Sequence, residues 1–403
     1  MKTAINLKPF KDFLKTGQVG GLILMLAVIV SIGIANSGLR EHFDTILNYP
    51  LGITLGITHL EYSVSLWIND GLMAIFFLLV GLEIKREMLE GELSSPKKAA
   101  LPIFAAVGGM LVPAFIYSLL NRGTPTIHGW GIPMATDIAF ALAIISLLGR
   151  RVPTSLKVFL AALAIVDDLG AILVIAIFYT TEIHFLQLLY ALLIVGLLCS
   201  LNYFGVKKLF LYLIPGLFLW YFIHHSGIHA TIAGVILAFT IPTNPIKRIS
   251  PLEKLEHTLN FPVNYCIMPL FALANTNIHF EPVMLKGLTS SLGLGIILGL
   301  VVGKTIGITL FSFLSVKLGL SRLPSRSKWK HIVGLGMLGG IGFTMSVFVS
   351  LLSFKQVEYQ TEAKFAILTA SVIAGTCGYL FLSYLYRRRV KKVMTQKLAL
   401  QKN

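Results

Sequence analysis

Three acids and one base stand where a charge is least welcome. Asp167 and Asp168 lie 11 and 12 residues into the apolar run 156–179, and Lys304 lies 12 residues into the run 292–316. At about 1.5 Å per helical residue, that is about 17 Å into a hydrocarbon layer about 30 Å thick. Asp137 follows Pro133 and Thr136 near the start of the run 132–148. An ionisable group at such depth costs several kcal/mol, so each of the four is a functional candidate. Successive helical residues point about 100° apart, so Asp167 and Asp168 cannot both face one partner. One carboxylate can neutralise Lys304 while the other faces an aqueous cavity. If their helices are neighbours, the set can hold protons or a small hard cation, which carboxylate and carbonyl oxygens suit. A network that only orders helices has no use for acid in excess of base.

The elements that must position these groups follow from composition. The chain has 403 residues with 34 Lys+Arg against 18 Asp+Glu, a net charge of +16, yet it is 55% hydrophobic and only 13% charged. A soluble partner of nucleic acid would need a far more charged surface, and a mean hydropathy of +0.79 points instead to a bilayer. Apolar runs bounded by Gly, Pro, Asn and charged clusters give twelve candidate spans: 17–36, 64–82, 99–120, 132–148, 156–179, 186–203, 209–223, 228–241, 259–274, 292–316, 332–352 and 366–386. No ten-residue alternation suggests a barrel, so the expected fold is an all-α membrane protein of about 12 transmembrane helices. The seventh and eighth runs are short enough to be two tight spans or a re-entrant pair. The first run is a span and not a cleaved leader, since it is long and has no A-x-A site. Cys199, Cys266 and Cys377 offer neither a disulfide nor a metal framework.

Basic residues test this division. With sides alternating, 28 of the 34 fall on one side, five on the other, and Lys304 within a span. The positive-inside rule then places both termini in the cytoplasm. One transmembrane domain is expected over 17–386, with a cytoplasmic N-terminus, 1–16, and a basic tail, 387–403, anchored near acidic lipid.

Glycine marks the sites of interruption. Five glycines fall within Gly334–Gly342 in the eleventh run, and Pro133 interrupts the fourth, so both are expected to be discontinuous helices. Gly334 to Gly339 fits G-x-G-x-x-G, but no strand precedes it and a dinucleotide site is set aside. Gly295, Gly299, Gly303 and Gly307 form a small-residue ladder suited to close helix packing. Spans 3–5 and 10–12 are an odd number of crossings apart and so run oppositely, as an inverted repeat with a midplane site requires.

Several strings resemble the signature segments of NhaA-type sodium/proton antiporters: Ala135–Ala141, Ala164–Ala171, Gly303-Lys304, Gly339–Ser346, Phe77–Glu87 and Ser226–Thr231. The likeness runs from about residue 17 to 385. It implies an electrogenic, pH-regulated antiporter of a bacterial inner membrane that exports sodium or lithium against protons by alternating access, without a cofactor. By the same resemblance Asp168 is the principal cation and proton carboxylate, and Asp167 is its neighbour paired with Lys304, so sodium would sit at Asp168 and Asp167. Asp137 and Thr136 belong to the unwound fourth helix, and Asp137 and Lys304 compensate facing half-helix ends. Glu83, Arg86, Glu87, Glu256 and His257 match a cytoplasmic pH-sensing cluster, with His229 a further pH-linked residue. Asn260 stands where the pattern has a second histidine, which leaves the pH of activation open. Asp70, in the second span, either lines an outer funnel or hydrogen-bonds Trp67 or Asn69. Partners are sodium or lithium ions, protons and membrane lipids, with no nucleic acid; the sequence leaves open whether the chain forms a homodimer. The alternatives are a proton- or sodium-coupled carrier of another small ion, a passive channel, and an intramembrane aspartyl protease, which has no use for a midplane lysine.

Overall fold

The computed structural model describes residues 8–55, 58–149, 152–180, 183–244 and 249–400. Residues 1–7 of the expected N-terminal segment and 401–403 of the tail lie outside the described residues. The chain divides into two units. One joins Met1–Ser95, Asp168–Pro282 and Leu351–Lys355; the other joins Pro96–Asp167, Val283–Ser350 and Gln356–Asn403.

The protein is mostly helical. Among the described residues, six helices are long and apolar enough to cross a membrane, or up to nine if each of three bent pairs counts as one span. Two of those pairs are the expected interruptions. Pro125–Met134, a 3₁₀ helix, precedes Ile138–Leu147 at 46°, and Trp329–Gly339 precedes Phe343–Ser353 at 47°. Thr136 and Asp137 occupy the first break, and Gly340–Gly342 the second. The seventh and eighth runs become Phe210–His224 and Ile232–Thr240, both short for a span.

The expectation of helices alone is corrected between the first two spans. There Arg40–Asn48 is a short helix bent 113° from the one before it, and Pro50–Leu55 (β1) and Thr58–Ser63 (β2) form an antiparallel pair in the register Pro50↔Ser63 to Leu55↔Thr58. This hairpin satisfies its own ladder, which a stretch outside the hydrocarbon can do with few residues.

Within the second unit the glycine ladder sets the spacing of two helices. The lysine helix, Ser291–Lys317, lies against Pro96–Leu120, and a Cβ on Gly307 would come within 2.1 Å of the Gly108 carbonyl oxygen. Gly303 likewise abuts Pro113. Without side chains at these points the backbones approach closely enough for dispersion to replace the absent hydrophobic drive. Gly307→Ala is therefore expected to destabilise this unit by about 3 kcal/mol, the cost of overpacking against rigid backbone. A thermal midpoint unchanged from wild type would contradict that packing.

In the first unit Val64–Leu89 packs on Ile232–Thr240, where Gly81 meets Ala238 and Gly234 meets the Ala74 carbonyl. The carbonyls at the end of Ile232–Thr240 are capped from elsewhere: Lys85 Nζ donates to Phe239 and Ile241, and Asn202 Nδ2 donates to Thr240 at 2.7 Å. A cation and an amide at a helix C-terminus satisfy groups that the helix itself cannot.

Candidate functional site

Lys304 is wholly buried at the middle of the lysine helix, where that helix leaves a π turn over Gly299–Gly303. Its ammonium pairs with Asp167 and donates to Thr136 Oγ1 at 2.8 Å. Asp167 is carried by the aspartate helix, Thr154–Phe178, and is also wholly buried. Thr136 Oγ1 stands 2.7 Å from Asp167 Oδ2 and 2.9 Å from the Gly339 carbonyl, and its single proton can serve one of them at a time. Asp167 Oδ1 accepts no hydrogen bond from the described residues. Three helices are thereby tied at one buried point: the aspartate helix, the lysine helix and the first broken helix.

Asp137 has a separate task. Its Oδ1 accepts from the Phe140 amide at 2.9 Å, capping its own half-helix, and its Oδ2 accepts from the Thr344 amide at 3.2 Å and from the Thr344 hydroxyl. The Asp137 amide in turn donates to the Ile341 carbonyl at 2.7 Å. One carboxylate thus answers the exposed N–H groups, and the positive ends, of two half-helices. Ser346 Oγ adds a bond of 2.7 Å to the Ile132 carbonyl, so the two breaks are joined by side chains at several points. Thr344 and Ser346 were not singled out from the sequence, where a hydroxyl in an apolar helix is ordinarily bonded to its own preceding turn.

Asp168 is buried beside Asp167 on the same helix, and the division between the two units falls between these residues.

On the side that carries the basic loops, Arg86 bridges two acids, reaching Glu256 at 3.1 Å and Glu87 at 3.2 Å. Glu83 is buried one turn before Glu87. His257 is exposed and makes no ion pair among the described residues, while Asn260 accepts twice from Asn264 on the next turn. Glu256 precedes the apolar part of its helix. Its burial raises the carboxyl above the usual range, opposed by Arg86 and His257 and assisted by Glu87 and Glu253. The folded state then holds a proton that the unfolded chain has lost, so stability is full at low pH and declines as pH rises through the raised value. The thermal midpoint is expected to fall over that window, and Glu256→Gln, which keeps an acceptor for Arg86, to flatten the fall. An identical slope in the variant would contradict it.

His229 Nε2 hydrogen-bonds the Tyr179 carbonyl at 2.7 Å, tying the start of one helix to the end of the aspartate helix. The expected partners of Asp70 are corrected. Trp67 donates to the Leu51 carbonyl and Asn69 pairs with Asn275, whereas Asp70 stands 3.3 Å from His224 Nδ1. That pair joins residues too distant in the chain for spacing to reveal it.

Buried opposite charges held at two interrupted apolar helices are the mark of a multi-pass membrane protein that handles charge within the bilayer, the class of ion-coupled transporters. The model of the family described as "Na+/H+ antiporter 1" matches residues 11–382, and the chain belongs to that family. A protein named Na(+)/H(+) antiporter NhaA 2 from Flavobacterium johnsoniae is 63% identical over 384 residues, covering 95% of this chain and 94% of its own. A second from that organism, named NhaA 1, is 52% identical over 378 residues, with 94% and 97% covered. One from Vibrio campbellii, named NhaA, is 49% identical over 395 residues, with 96% and 99% covered. Membership in a family of transporters sets the protease alternative aside.

Proposed function

We propose that this chain is a sodium(lithium)/proton antiporter in which protons and the cation compete for the buried aspartates. Asp168, with Asp167 or Asp137, binds sodium or lithium when deprotonated, and protons arriving from the other side displace it by alternating access. The observation that carries the reading is the division of labour around Lys304. That base is paired with Asp167 and Thr136, and Asp137 is engaged in capping helices. Asp137, Asp167 and Asp168 are three buried carboxylates against Lys304, the single wholly buried base among the described residues, and buried acid in excess of base must take up a proton or a cation.

Two protons exchanged for each monovalent cation make the cycle electrogenic, so a membrane potential drives export. Glu83, Arg86, Glu87, Glu256, His257 and His229 set its dependence on pH. The topology that fits is twelve spans in an inner membrane with both termini cytoplasmic, spans 3–5 and 10–12 forming an inverted repeat. Matching breaks in the middle member of each trio, and the basic loops on one side, support it.

The test is sodium-driven proton movement in everted vesicles acidified by respiration. Sodium or lithium added at alkaline pH should discharge the proton gradient, and potassium or an organic ion should not. Equal discharge by an organic ion would favour a carrier of another substrate, and cation flux insensitive to the pH gradient a channel.

A further inference from the structure

An apolar cavity of about 520 Å³ lies within the first unit, between Val64–Leu89, Phe210–His224 and Ile232–Thr240, and reaches the hairpin at Leu51. Small side chains at Gly71, Ala74 and Ala233 leave it open, and its walls are almost wholly hydrocarbon. Its volume is that of a site for a small molecule or a single chain of a larger one. At the rim Ile75 and Leu213 are each 37% exposed and Leu217 is 66% exposed, on helices whose outer faces meet lipid. The cavity therefore opens towards the one apolar solvent that surrounds the protein.

A second observation gives the occupant a polar end. Trp67 and Trp220 both line the cavity and stack with ring centroids 5.8 Å apart. Trp67 donates its indole N–H to the Leu51 carbonyl, but the Trp220 Nε1 is buried and finds no acceptor among the described residues. Indoles collect at the depth of lipid headgroups, where an apolar ring and a polar N–H are both satisfied. The Asp70–His224 pair beside them, with Trp220 stacked on His224, marks the same boundary. A buried donor without a partner carries a cost that a ligand carbonyl at this depth removes.

We propose that the cavity seats one acyl chain of a membrane phospholipid, whose ester carbonyl accepts the Trp220 N–H. The leaflet is the one remote from the basic loops. A soluble metabolite would find little besides the Trp220 N–H in the walls to orient it. A phospholipid matches both the hydrocarbon walls and the lone donor, and is present around the protein at very high local concentration.

The experiment uses the whole chain in detergent with Trp130→Phe and Trp329→Phe, which leaves Trp67 and Trp220 as the only indoles. Phosphatidylcholine with brominated acyl chains is titrated while fluorescence is read. The expected result is quenching that saturates near one lipid per chain. Trp220→Phe should shift its midpoint about tenfold towards weaker binding, read through Trp67. Ile75→Phe with Leu213→Phe, at exposed rim positions, should remove the saturable component while sodium/proton exchange and the thermal midpoint persist. Quenching that rises linearly and equally in all three proteins, the signature of annular lipid alone, would overturn the proposal. So would an absence of saturable quenching together with cross-linking between two copies of Leu217→Cys, which would mean that a second copy covers the cavity.

Discussion

Asp168→Asn is expected to lower sodium-coupled proton exchange at least about a hundredfold at every pH, equivalent to roughly 3 kcal/mol of lost interaction with the ion. The amide keeps the shape and the burial of the side chain, so the protein should fold and reach the membrane in normal amount. What it loses is the ability to hold either a proton or a compensating negative charge. Asp168 is buried, and a hard cation stripped of water needs ionised or strongly dipolar oxygens in return. Asparagine supplies only one carbonyl. A loss confined to apparent sodium affinity, with the maximal rate unchanged, would mean that Asp168 binds the ion without carrying the proton. Retention of full exchange would remove Asp168 from the site.

The second large effect concerns the buried pair. Lys304 and Asp167 are both inaccessible to solvent. Lys304→Met should destabilise the protein by about 3–5 kcal/mol, because Asp167 is then an uncompensated buried carboxylate. Restoring neutrality with Asp167→Asn should recover most of that loss, even though the double variant has given up an ion pair and cannot transport normally. The Thr136 hydroxyl can still bond to the amide that replaces the carboxylate, and its other neighbour, the Gly339 carbonyl, is untouched. The measurement is a double-mutant cycle on the thermal midpoint of purified protein. Costs that simply add would show that the two charges do not compensate one another.

These expectations rest on residues that were partly legible before any fold was known. Asp137, Asp167, Asp168 and Lys304 stood out because a charge inside an apolar run has no ordinary reason to be there. The angle between adjacent helical residues separated Asp167 from Asp168. The interruptions were legible too, since glycine clustered at 334–342 and Pro133 are costly inside a continuous helix. What could not be read is the partner of each group across the fold. Thr344, which bonds to Asp137, looks like any threonine in an apolar helix, and nothing in spacing couples it to a residue 207 positions earlier. The Asp70–His224 pair is hidden for the same reason, whereas Arg86 and Glu256 were brought together by the family resemblance and not by their spacing. The hairpin was missed for another reason: Leu51–Leu55 and His59–Ser63 do alternate between apolar and polar residues, but each strand is only six residues long and Gly52 lies inside one, so between two long apolar runs the segment reads as a connection.

Competition between sodium and protons for one set of carboxylates is the central claim, and it is tested most directly without any membrane gradient. Sodium is titrated calorimetrically into purified protein at a pH low enough for the site carboxylates still to hold their protons, in buffers of different ionisation enthalpy. The dependence of the heat on the buffer gives the number of protons released per ion bound. Release of about two protons per sodium ion is expected, with none in Asp168→Asn, and an apparent affinity that weakens as pH falls. Sodium binding with a heat independent of the buffer would contradict it, as the ion and the proton would then occupy different groups.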